Sequence, residues 1–134
     1  MTNEEKVQYW IELSDEDLKT ADVLLKGGRY LFAGFTCHLI IEKIFKAYYT
    51  QLKGDTPPFK HKLDYIAQQG NFYEMLSEEQ QDFIDELNPF NIEARYPEYK
   101  SELMKNLTQP ICAELVEQTK KLQQWIKERI LSTK

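Results

Sequence analysis

The segment from Tyr30 to Leu52 constrains the fold of this chain more than any other. Leu31, Phe32, Phe35, Cys37, Leu39, Ile40, Ile41, Ile44, Phe45, Ala47, Tyr48 and Tyr49 cover nearly the whole circumference of a helix turning about 100° per residue. A helix that is apolar all round has to be packed on several sides, so the pattern predicts a central element surrounded by others. Its limits are also legible. Gly27-Gly28 closes the preceding helix, and Lys53-Gly54-Asp55-Thr56-Pro57-Pro58 stops this one. His38, Glu42, Lys43 and Lys46 interrupt the apolar run, which argues against a membrane span.

The remaining segments supply helices to surround it. Thr2 with Glu5 has the form of a capping box, and Val7, Trp10, Ile11, Ser14, Leu18, Ala21, Leu24 and Leu25 recur at helical spacing, which predicts a first helix from about Glu4 to Lys26. A short helix carries Leu63, Ile66 and Ala67 and ends at Gly70, and residues 71–76 read as a connector anchored by Phe72 and Tyr73. Ser77-Glu78-Glu79-Gln80 repeats the capping box and starts a helix that buries Phe83, Ile84 and Leu87, with a break predicted at Asn88-Pro89. Residues 91–104 read as irregular because Pro97 interrupts them. Thr108 caps a last helix with Pro110 in its first turn and one apolar face from Ile111 to Ile130. The expectation is one all-α domain over residues 1–134, an antiparallel bundle of four long helices plus one short helix.

Composition narrows the function classes. At 134 residues the chain has the size of one domain, and a net charge of −5 disfavours broad attraction to nucleic-acid backbones or anionic membranes. Cys37 and Cys112 form neither a CxxC pair nor a disulfide framework, and their apolar neighbours predict buried free thiols. The N-terminus has no apolar run, so no secretion signal is expected and the predicted location is cytoplasmic.

The strong local signatures of chemistry are missing: no glycine-rich phosphate loop, no GxSxG, no HExxH. With two histidines and no second His or Cys at ligand spacing, neither a metal nor a cofactor is expected. One polar feature remains. His38, Glu42 and Lys46 share a narrow face of the second helix, with Phe35 and Tyr49 beside them. Two readings are open: a surface Glu42–Lys46 pair four residues apart, or a polar seam facing a cleft or dimer groove.

Trp10 and Asp17 in the first helix, Tyr30, then Glu42-Lys43 with Lys46-Ala47, then His61-Lys62-Leu63, and finally Ala94-Arg95-Tyr96-Pro97 form an ordered constellation. In this order and in these elements the chain resembles the HEPN domain family, roughly from Tyr9 to Pro97. The resemblance implies an antiparallel helical bundle that commonly forms a homodimer. It also implies pairing with a minimal nucleotidyltransferase in toxin–antitoxin systems, or nucleotide binding. Active relatives are metal-independent ribonucleases built on an arginine followed a few positions on by a histidine. In that chemistry a ribose 2′-hydroxyl attacks the adjacent phosphate, histidine handles the proton and arginine steadies the phosphoryl charge. Arg95 matches the arginine, but residues 96–103 contain no histidine and present Lys100, Ser101 and Glu102 instead.

The leading expectation is therefore a noncatalytic, homodimeric interaction module that binds a nucleotidyltransferase partner or a nucleotide near Glu42, Lys46, Arg95, Tyr96 and His38. The alternative is a metal-independent endoribonuclease that uses Arg95 with His61, with RNA as substrate. Arg95 also has a purely structural reading, as an ion-pair partner of Glu42 or Asp17.

Overall fold

In the computed structural model, residues 1–91 and 97–132 are described, residues 97–100 as backbone only. Among the described residues six α-helices follow one another: α1 Asn3–Lys26, α2 Tyr30–Lys53, α3 Leu63–Gln69, α4 Glu78–Leu87, α5 Pro97–Asn106 and α6 Gln109–Ser132. Single 3-10 turns, Tyr73–Met75 and Asn88–Phe90, flank α4, and the described residues contain no strand. The all-α expectation holds.

The caps explain where the helices begin. Thr2 accepts the Glu5 backbone N–H while Glu5 accepts the Thr2 N–H, and Ser77 and Gln80 repeat the exchange at α4. Each box satisfies two of the N–H groups that a helix start leaves unpaired. At the far end of α2, Gly54 takes φ 71°, a left-handed conformation that glycine adopts without strain, and its N–H closes on the Thr50 carbonyl at 2.9 Å. The Asn3 side chain then donates to the Gly54 carbonyl, tying the start of α1 to the end of α2.

These ties fix the directions. α1 and α2 form an antiparallel hairpin around the Gly27-Gly28 turn. Along α6, the Cys112 thiol donates to the Tyr30 carbonyl near its start, and the Ile130 carbonyl near its end accepts from Gln51, so α6 runs parallel to α2. Asp15 meets Lys127 and Asp22 meets Lys120, which sets α6 antiparallel to α1. The return limb between α2 and α6 is the broken stretch from α3 to α5.

The core sits on α2, from Ala33 and Cys37 through Ile40, Ile41, Ile44 and Phe45, every one of them without exposed surface. Burying side chains of the Ile and Phe class stabilises the fold by roughly 1.5–3 kcal/mol each. Gly34 lets the return limb approach: a Cβ there would lie 2.5 Å from the Phe90 ring, closer than any real contact allows. Both cysteines are buried free thiols as predicted, and burial pushes Cys37 up to about 12, too high for a reactive thiolate.

One feature of the sequence reading is approximate and one needs correction. Three helices have 24 residues, but the helix capped by Ser77 has only ten, so the four-long-helix description is approximate. The stretch read as irregular around Pro97 contains a ten-residue helix that begins at that proline. Proline breaks a helix interior but suits the first turn, where its missing N–H has no partner to lose.

Candidate functional site

The polar seam of α2 is inside the protein. His38, Glu42 and Lys46 are 2%, 6% and 8% exposed, so the surface-pair reading does not describe it. Their spacing of four residues stacks them on one face, and α1 and the loop before α3 close over that face.

Glu42 is the hub. Lys46 Nζ donates to its Oε2 at 2.9 Å, and His61 Nδ1 lies 3.0 Å from both carboxylate oxygens. Because a carboxylate only accepts, His61 carries its proton on Nδ1 in this arrangement. His61 arrives from the segment between the Gly54 cap and α3, and its side chain is 35% exposed while that of Glu42 is 7% exposed. The cluster therefore runs from the interior to an accessible edge. On its inner side Lys46 Nζ sits 5.6 Å from the centre of the Trp10 ring, within range of a cation–π contact.

His38 stands apart from this exchange. Its Nδ1 is 3.6 Å from Glu42 Oε1, too long for a hydrogen bond, and its Nε2 is buried with no hydrogen-bond partner among the described residues. Burial holds its pKa down to about 4, against the opposing pull of the Glu42 carboxylate and the His61 backbone. His38 is accordingly neutral at physiological pH.

Other residues of the sequence constellation also meet as pairs. Asp17 binds Lys43 at 2.6 Å across α1 and α2, and the Tyr30 carbonyl accepts from Cys112. Of the six candidate site residues, the structure brings together His38, Glu42, Lys46 and His61. Arg95 and Tyr96 lie outside the described residues. Among the described residues, no three His, Cys, Asp or Glu side chains converge on a metal-ion site.

Sequence reasoning missed two contributors. Trp10 is recognisable as a core-facing aromatic, but nothing local pairs it with Lys46. Asn88 reads as a helix breaker, yet its side chain accepts the Leu63 N–H at 2.9 Å and donates to Asp64 at 3.0 Å, fixing the start of α3 two residues after His61.

Chemically the cluster can do two things. A charge buried with its partners holds three chain segments in register. A carboxylate on Nδ1 also orients an imidazole and steadies its protonated form, the arrangement that supports a general base.

No helix among the described residues is long and apolar enough to cross a membrane. No curated protein and no solved structure matches the chain. A family model described as HEPN domain matches residues 7–130, from the first turns of α1 almost to the end of α6. Because that match spans nearly the whole bundle, including the Trp10, Glu42, Lys46 and His61 cluster, the chain belongs to the HEPN domain family.

Proposed function

We propose that this HEPN protein is an interaction module, homodimeric in solution, that binds a nucleotidyltransferase partner or a nucleotide. The observation that carries the reading is the inward orientation of the seam. Glu42 and Lys46 neutralise each other inside the fold, and the segment after Arg95 has no histidine to complete the ribonuclease pair. Arg95, Tyr96 and His61 are the side chains proposed to meet the ligand or partner, with Glu42 and Lys46 supporting His61 from within.

Sedimentation of the full chain, alone and with a minimal nucleotidyltransferase if a neighbouring reading frame encodes one, tests this. A dimer that co-sediments with that enzyme is the expected result. A strict monomer that captures neither the enzyme nor a nucleoside triphosphate overturns the reading.

A specific observation favours a second reading, a metal-independent endoribonuclease. His61 is held through Nδ1 by Glu42, as a general base would be, and Arg95 would supply the cation. This reading expects RNA cleavage that survives EDTA and disappears in Arg95→Ala and His61→Ala with the fold intact. Diverse RNAs left uncut by the purified protein would rule it out. The net charge of −5 weighs against it, since RNA has to approach an acidic surface.

A further inference from the structure

We propose that the trough between α4 and α6 is a docking groove for one amphipathic helix bearing lysine or arginine, supplied by a partner protein. The inference deepens the interaction-module reading by naming a surface and the chemistry of its ligand, and for its biological partner it rests on that reading.

The trough follows from how the return limb packs. α4 packs on α3 and on the 3-10 turn that follows it, and α6 packs on α2 and α1, which leaves a seam between α4 and α6 that α5 borders at one end. Three hollows of about 280, 370 and 270 Å³ occupy it in succession. They form one channel, because the first two share Glu86, Ile111 and Leu115, and the second and third share Phe83 and Gln118. Along α6 the lining extends from Ile111 to Trp125, about 21 Å at the rise of an α-helix, or close to four helical turns. That is the footprint of a helix laid in a groove.

The lining selects the ligand. The floor is apolar: Phe83, Phe90, Leu107 and Leu115 present their remaining 6–8% of surface, and Ile111 stands 53% exposed among them. An apolar floor this long favours a continuous hydrophobic stripe over a flat nucleotide base. Above it stand Glu86, Glu102 and Glu114, all exposed, and among the described residues no cation lines the first two hollows. Lys121 enters only at the far end. Three carboxylates around an apolar floor repel phosphates and acidic peptides and favour cationic side chains flanking an apolar stripe. The occupant with both properties is an amphipathic basic helix.

A synthetic peptide of about 15 residues tests this, with leucine at positions i, i+3, i+4 and i+7 and lysine on the flanks, beside a counterpart carrying glutamate on the flanks. Both are titrated into the full chain and followed by amide chemical shifts. The expected result is that the lysine peptide alone binds, with shifts centred on Leu103, Leu107, Ile111 and Leu115. The Glu86→Lys/Glu114→Lys double variant weakens it about tenfold or more, and Ile111→Asp abolishes it. Glu12→Lys on α1 leaves it unchanged. All the substituted positions are exposed, and matching thermal melts verify the fold.

No binding, equal binding of the glutamate peptide, or indifference to the groove substitutions overturns the proposal. So does conversion of a dimer to a monomer by Ile111→Asp, which would make a second copy of this chain the occupant. The two readings fail separately. A nucleotidyltransferase complex that survives Glu86→Lys/Glu114→Lys removes the groove and keeps the module. A wild-type chain with no partner and no nucleotide removes the module, while the peptide titration still decides the groove.

Discussion

Glu42 and Asp15 are carboxylates with the same task in different surroundings. Each clamps separate chain segments through an ammonium and a second nitrogen donor: Glu42 through Lys46 and His61, Asp15 through Lys127 and Gln123, all between 2.8 and 3.0 Å. The Glu42 side chain is 7% exposed and that of Asp15 is 37% exposed. Contact geometry therefore does not measure what a carboxylate contributes. Around Glu42, lost hydration is offset only while every partner stays in place, whereas around Asp15 water and salt substitute for a missing partner.

The sharpest way to break this comparison is Glu42→Ala. It leaves Lys46 buried without its counter-ion and His61 without its anchor, and the expected loss of stability in urea unfolding is about 3–5 kcal/mol. A loss below about 1 kcal/mol would put Glu42 in the same class as Asp15.

The second difference is in the response to acid. His38 is held at about 4, below the ordinary 6.5 of an imidazole, with Glu42, His61 and Lys46 as its charged or titratable neighbours. Between these two values the unfolded chain binds a proton that the folded chain refuses. This contribution to stability is therefore complete above about pH 6.5 and declines as pH falls toward 4, by an amount on the order of 3 kcal/mol. Unfolding of the wild type and His38→Gln across that range gives the check, since the substitution removes this part of the slope.

The smallest effect belongs to Asp15→Asn. It should cost at most about 1 kcal/mol, and 1 M salt should shrink the difference further. A salt-independent loss as large as that of Glu42→Ala would show that the Asp15 cluster is shielded from solvent after all.

The helices were legible where their determinants are local. The Thr2 and Ser77 capping boxes, the Gly54 stop and the apolar circumference of α2 all lie within a few residues of what they control. Pro97 misled because the same ring that breaks a helix interior is well suited to a helix start, and only the following residues decide between them. At the site, helical periodicity was enough to align His38, Glu42 and Lys46. Their burial was not legible, because it depends on Trp10 from α1 and His61 from a loop, and the Glu42–His61 contact spans nineteen positions that include two prolines.

The Asn88 side chain also couples the opening of α3 to that of α4. Lys62 provides no side-chain cap for α3, and a helix of seven residues is too short to persist alone. Its first N–H is held instead from the far end of α4. Residues 63–90 should therefore open and close as one cooperative unit, with the amide of Leu63 exchanging its hydrogen at the rate of α4 and not at that of the loop beside it.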